Sequence, residues 1–418
     1  MKDNKYLLIV FFLLFGILFG PNFYIAGISL RVIATIMGLL LLFSQRKKIL
    51  IDDVFCAYII YVMCYVIISV LNGAVYDDYF FKGLLNWHLP CILLYLLVPS
   101  YIDSIKKMNN VCCLVISLLL FDVLISLGQF FNISFAWDVG NAINAYASEI
   151  STLYMDRHDV SMGYLGVSII NGICASVVDN GYFITTSFPL LFILKKNHNK
   201  ISEYDAFLYI SVFLTILASF LIQQRMCFYL IVLFFVWRLW TSLSGSGRVL
   251  LIILAITFIT STEFWLANVE FGRLDDASDS DRAETYLNSI SMIFDDARLF
   301  WLGGEAYYRQ FFEHTPHNTI IGAWVYSGVL GFMVFLMMIF LLLKKLLPVI
   351  MEHGSTSSLI HCSLAECCLL FIVYSMTHST GIHNGKGLYF WLFYGLFLHS
   401  YRMVCCKWKS NLRIMTLT

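Results

Sequence analysis

Arginines and one histidine carry most of the chemistry that this sequence offers. Arg225 sits in Gln223-Gln224-Arg225, between two apolar stretches with almost no loop between them. An arginine at that depth is costly unless it is paired or faces a polar cavity. The two glutamines favour a cavity; snorkelling to the interface or a salt bridge to Glu263 is the structural alternative. Arg282 precedes Tyr286, Leu287, Ile290, Met292 and Ile293, a spacing that predicts an amphipathic helix with Asp281 as its N-cap. An anion held there would meet both the guanidinium and the helix N-terminus, unless Asp279 and Asp281 neutralise the charge. Arg157, in Asp156-Arg157-His158-Asp159, joins the set with Arg309 and Arg273. Arg31 lies inside an apolar stretch, where Asp122 or Asp179 would be its partner. A guanidinium presents a planar fork that matches phosphate oxygens and stays charged at any workable pH.

His317 stands in Pro316-His317-Asn318, just ahead of another apolar stretch. Pro316 favours an extended chain before it, which places His317 at a helix start. A histidine that is neutral near pH 7 can take a proton from a hydroxyl; the bland alternative is a structural cap. Gly328 and Gly331 follow in Ser327-Gly328-Val329-Leu330-Gly331, and small residues at that spacing let a helix or lipid chain approach closely. His314, His378 and His383 read as a polar rim. There is no glycine-rich phosphate loop, no His-Glu-x-x-His and no nucleophile elbow. Asp279-Ser280-Asp281 has the letters of a metal anchor but lies in a generally acidic loop, so neither a metal nor another cofactor is expected.

The elements that must position these residues are membrane helices. The chain has 418 residues, 60% hydrophobic and 13% charged, with a mean hydropathy of +0.78. Soluble domains carry about 25% charged residues, so this composition points to a polytopic membrane protein. Lys+Arg and Asp+Glu are both 27, and nothing suggests nucleic acid as a partner. The 12 cysteines fall mostly in apolar stretches without zinc-like spacing, and read as small packing residues.

Twelve stretches approach the roughly 20 apolar residues that a bilayer core requires. They are 6–20, 24–43, 54–71, 83–99, 111–131, 170–194, 206–222, 226–242, 248–266, 319–343, 358–376 and 386–404. With the N-terminus in the cytoplasm, Lys and Arg divide 18 inside to 8 outside, Arg31 lying within the second stretch. That asymmetry places both termini inside. The expected fold is therefore an all-α polytopic membrane protein, one integral domain over 1–418, with about 12 transmembrane helices. Two long outer loops, 132–169 and 267–318, interrupt it, the second just before span ten. Loops of that length are usually functional or disordered. Phe300, Trp301, Tyr307, Tyr308, Phe311 and Phe312 give the second an aromatic surface at the membrane edge.

Taken in order, four segments resemble the O-antigen polymerase and O-antigen ligase superfamily of bacterial cell-envelope proteins. They are Leu221-Ile222-Gln223-Gln224-Arg225, Asp281-Arg282-Ala283-Glu284-Thr285-Tyr286, Phe300-Trp301-Leu302-Gly303-Gly304, and Pro316-His317-Asn318 with Gly328 and Gly331. The detailed match covers roughly 220–335; the N-terminal half matches in hydropathy only. Gln223-Gln224 departs from the family, where Ser or Thr is frequent ahead of the arginine.

The resemblance implies a GT-C-like fold in the bacterial inner membrane with its active site facing the periplasm. It implies metal-independent, inverting glycosyl transfer from an undecaprenyl-pyrophosphate-linked oligosaccharide to a second such molecule. Arg225, Arg282, Arg157 and Arg309 would hold the pyrophosphate. His317 would deprotonate the acceptor hydroxyl, with Asn318, Gly328 and Gly331 shaping the site. Membrane lipids would be partners, and a chain-length regulator could join them. The polymerase reading leads. A ligase acting on lipid A-core shares its chemistry. A flippase or other transporter is a more distant alternative, since transporters often show internal repeats and mid-membrane charges that are not evident here.

Overall fold

The computed structural model describes residues 5–21, 23–26, 28–44, 48–73, 84–143, 170–174, 176–194, 203–222, 225–242, 245, 248, 278–312, 316, 318–351, 359–377, 381–382, 387–404 and 413–416. These residues are overwhelmingly helical. In chain order the helices are α1 (Lys5–Leu14), α2 (Leu30–Ser44), α3 (Asp53–Leu71), α4 (Leu89–Ser100), α5 (Ile105–Phe130), α6 (Ser134–Ile143), α7 (Val177–Ser187) and α8 (Glu203–Leu221). They continue with α9 (Arg225–Ser242), α10 (Ser278–Asp295), α11 (Ala297–Trp301), α12 (Glu305–Tyr308), α13 (Thr319–Met351), α14 (Leu359–Ser375) and α15 (Gly387–Val404). Three of them, α3, α5 and α13, are long and apolar enough to cross a membrane, and seven apolar stretches are shorter. The expected span 248–266 lies outside the described residues, apart from position 248.

Two strand pairs break the helical pattern. Tyr24–Ile25 pairs antiparallel with Ile28–Ser29, and Lys48–Ile51 with Arg413–Thr416. The first pair corrects the expected span 24–43, because the chain turns at Ala26 with φ of 51° and helix α2 starts only at Leu30. Likewise 170–194 is not helical throughout. Gly172 has φ of 60°, a left-handed conformation that favours glycine, and α7 begins at Val177 after the Ser176 cap. Asp122 Oδ1 accepts from Ile173 N at 2.8 Å, which ties this non-helical segment to α5. Arg31 takes neither expected acid as a hydrogen-bond partner. Its Nε donates to the Ile17 carbonyl at 2.7 Å, within a π-helical turn at Phe15–Phe19, and Asp179 is an electrostatic neighbour. A buried carbonyl acceptor thus replaces the expected carboxylate.

The pair α3–α13 is the spine that positions the site. The two helices run antiparallel: Asp52 and Asp53 at the start of α3 meet Lys345 late in α13, while Asn72, just past α3, meets Gly303 ahead of α13. Nineteen residues of α3 span about 28 Å, close to a bilayer core. At 33 residues α13 extends about 50 Å, so it outruns its partner. Its backbone leaves helical geometry at Gly328 (φ 59°, ψ −172°). Behind the spine, Phe55 stacks on Tyr95 at 4.1 Å and Tyr58 lies 4.3 Å from Trp391, locking α3 to α4 and α15 through buried rings.

Candidate functional site

The segment 278–312 folds onto the N-terminal part of α13. Its first helix, α10, starts at Ser278, so Asp281 lies inside it rather than at its N-cap. Apolar Ile293, Leu299, Tyr308 and Val325 form a small separate core beneath this segment. Tyr308 is buried there with its hydroxyl 2.6 Å from Ser289 Oγ, and burial pushes its phenol above the usual tyrosine range.

Helix α11 is held by Asp296. One carboxylate oxygen accepts from the backbone N–H groups of Arg298 (2.8 Å) and Leu299 (3.0 Å), and the other accepts from the Tyr307 hydroxyl at 2.7 Å. The Tyr307 hydroxyl and these two N–H groups hold the Asp296 carboxyl below its ordinary range; the same bond raises the Tyr307 phenol.

Three glycines lock the segment to α13. Gly303, Gly304 and Gly328 all have positive φ, and Gly304 N donates to the Val325 carbonyl at 2.7 Å. A Cβ on Gly328 would stand 2.3 Å from the Trp301 carbonyl oxygen, and one on Gly303 would stand 2.7 Å from Gly328 N. The break in α13 and the Gly303-Gly304 turn therefore interlock backbone to backbone, a closeness only glycine permits. Trp324 Nε1 reinforces the joint by donating to the Phe300 carbonyl at 3.1 Å.

This joint forms one wall of a cleft of about 520 Å³ at the Asn72 end of the spine. Such a volume falls within the ~300–1,000 Å³ of small-molecule sites. Tyr65, Trp87, Tyr307 and Tyr326 line it, Tyr65 and Tyr326 with ring centres 6.4 Å apart, while Asn72 and Gln310 add neutral hydrogen-bonding groups. Among the described residues three charges line it: Arg298, Arg309 and Glu305. Two of these are paired, Arg309 donating to Glu305 at 2.5 Å. Arg298 is different. Its guanidinium donates to Asn72 Oδ1 at 3.1 Å and lies 4.3 Å from the centre of the Tyr307 ring. No described carboxylate sits within ion-pair distance of it. A fork held by a neutral amide and an aromatic face, with Asp296 only an electrostatic neighbour, forms no ion pair of its own and can take an anion.

Of the expected site residues, Arg309 lines the cleft and Gly328 shapes its wall. Gly331 packs beside Ser327 and Cys64, where it lets α3 approach α13. Asn318 caps α13, its Oδ1 accepting from the N–H groups of Ile320 (2.9 Å) and Ile321 (3.2 Å). Its Nδ2 donates to the Met376 carbonyl at 3.1 Å, so it ties α13 to the end of α14 and does not line the cleft. Arg225 opens helix α9 and Arg282 lies in α10, but the side chains of both fall outside the described residues. So do the whole of Arg157, Arg273 and His317.

Sequence reasoning passed over Arg298, Asn72 and Glu305. The available signal was Asp296-Ala297-Arg298 directly ahead of the Phe300–Gly304 motif, a capping acid followed by a cation. Asn72-Gly73 gave only a helix stop. Among the described residues no cluster of His, Cys, Asp and Glu is arranged to hold a metal ion. Comparison with protein-family models, curated proteins and solved structures gives no match for this chain.

Proposed function

We propose that this protein is an O-antigen polymerase that joins undecaprenyl-pyrophosphate-linked oligosaccharide units at the periplasmic face of the bacterial inner membrane. The observation that carries this reading is the ring-lined cleft with Arg298, which forms no ion pair among the described residues, built on the Phe300–Gly304 segment where the chain resembles that superfamily. Aromatic faces suit the apolar faces of sugars, and the amides and the arginine suit their polar groups. The reading includes about 12 spans in a GT-C-like arrangement, both termini in the cytoplasm and the cleft outside.

In this mechanism the cleft holds the glycan. Arg225, Arg282 and Arg157 bind the diphosphate of the lipid carrier; Arg309 contributes only by exchanging Glu305 for it. His317 takes the proton of the acceptor hydroxyl as that oxygen attacks the anomeric carbon. The bond from that carbon to the diphosphate oxygen breaks, the electron pair leaves with the diphosphate, and the configuration inverts. Guanidinium groups stabilise the departing charge, so no metal is needed; each such donor is worth about 2.7–4 kcal/mol by analogy. A general base contributes about 10²–10⁴-fold.

The test is a lipopolysaccharide gel of a deletion strain complemented with wild type, His317→Ala or Arg225→Ala. Polymerase function predicts core with one repeat unit and no ladder in the deletion, restored by wild type and by neither variant at equal membrane levels. Long polymer accumulating on the lipid carrier over bare core would instead identify the ligase. Bare core without such polymer would favour a flippase, and an unchanged ladder would remove all three roles.

A further inference from the structure

We infer that the cleft selects a saccharide carrying a single carboxylate, an acidic sugar such as a hexuronic acid, and that Arg298 is the residue that reads it. This rests on the reading that the cleft holds glycan. The charge of the described lining points to one negative charge on the ligand. Arg309 is paired with Glu305 at 2.5 Å, which leaves Arg298 as the one charge in that lining without an ion pair; Asp296, outside the lining, is only an electrostatic neighbour.

A neutral sugar would leave the Arg298 fork without an anion. A diphosphate brings more than one negative charge and would meet Glu305, which is only 24% exposed and lies within the same wall. A carboxylate fits both constraints, since it is planar, carries one charge and accepts the guanidinium fork in a bidentate manner. The fork is already aimed: Asn72 Oδ1 holds one end at 3.1 Å and the Tyr307 ring backs the guanidinium at 4.3 Å. Little side-chain freedom remains to be lost on binding. Tyr307 is itself fixed by Asp296 at 2.7 Å, so the backing ring does not depend on the ligand.

The experiment uses the purified full-length chain in detergent, titrated with methyl glucuronide, methyl glucoside and inorganic pyrophosphate. Tryptophan fluorescence is the readout, since Trp87 lines the cleft. The glucuronide is expected to bind about tenfold or more tighter than the glucoside, the range of a charge-assisted bond. Arg298→Gln should bring the two together, and Arg298→Lys, which keeps the charge but loses the fork, should fall between them. Glu305→Gln should strengthen pyrophosphate binding. Equal affinities of the two glycosides for the wild type would overturn the inference. So would a loss of pyrophosphate binding in Arg298→Gln, which would place the diphosphate on that arginine, or saturable binding of neither glycoside. If the glucuronide preference holds while the ladder is unchanged in the deletion strain, the polymerase reading falls and the acidic-sugar site stands. If the ladder behaves as a polymerase requires and the preference is absent, the reverse follows.

Discussion

Asp52 and Arg298 lie at opposite ends of the same helix pair, and their surroundings treat their charges in opposite ways. Asp52 is buried and saturated. One oxygen accepts from Phe55 N at 3.0 Å and Tyr95 at 3.2 Å, the other from Lys345 at 2.7 Å and Tyr394 at 2.5 Å. Lys345 is also paired with Asp53. Nothing in that network is left to bind a ligand, and it joins α3, α4, α13 and α15. Arg298, about 28 Å away along α3, is exposed, with a neutral amide and a ring as its contacts and Asp296 as an electrostatic neighbour. A buried charge is tolerable when its neighbours fully satisfy it, whereas a charge meant for a ligand has to be left partly unsatisfied. On the proposed reading, one end of the spine serves stability and the other recognition.

The sharpest way to break that assignment is to remove Lys345. Lys345→Met strands a buried carboxylate and should cost about 3–5 kcal/mol in denaturant or thermal unfolding in detergent. Adding Asp52→Asn should recover much of the loss; a small effect of the single variant would mean that the network is not structural. At the opposite end Gly328→Ala forces an L-residue into positive φ against the Trp301 carbonyl. It should cost about 1–3 kcal/mol and weaken glycoside binding, because it pushes the cleft wall off α13.

Asn318→Ala removes a cap and should cost about 1 kcal/mol while leaving glycoside affinity unchanged. Loss of affinity there would place Asn318 in the cleft after all. Arg298→Gln should alter the melting temperature little, since exposed substitutions stay within about 0.5 kcal/mol, while it removes the glucuronide preference. A large stability loss would make Arg298 a structural residue like Lys345.

The smallest effect is the pH response of the Asp296–Tyr307 contact. The carboxyl is depressed in the folded protein, so its contribution is present above the ordinary carboxylate range and is lost as pH falls through the folded value. The phenol is raised, so its contribution is present below pH 10 and is lost as pH rises through the folded value. A tyrosinate absorbance titration of wild type against Tyr307→Phe should show one phenol ionising later than the exposed tyrosines. Asp296→Asn should bring it back.

Apolar runs and their punctuation made most of the helices legible, because a chain this hydrophobic leaves few other ways to satisfy its backbone. The same logic misread 24–29 and 170–176, where one apolar run conceals a turn and only the left-handed Ala26 and Gly172 reveal it. Of the site, Arg309 and Gly328 were readable as types at suggestive positions. Gly303-Gly304 stood out only within a segment that carries the resemblance, and its fit against Gly328 was not visible. Arg298 looked like one more loop arginine. Its significance depends on Asn72, 226 residues away, and on which arginine Glu305 chooses.

By itself, then, the sequence determined what is local: a membrane composition, helical stretches, glycines where the chain must bend and a supply of arginines in one loop. Those follow from hydrophobic burial, backbone propensity and spacing, which neighbouring residues decide. Only the tertiary structure decided which charges cancel. Lys345 neutralises Asp52 from 293 positions away and Arg298 meets Asn72 from 226 away, whereas Glu305 and Arg309 form a local pair four residues apart. Electrostatic pairing weakens with distance, so the long-range pairs depend on contacts between residues hundreds of positions apart that no local pattern encodes.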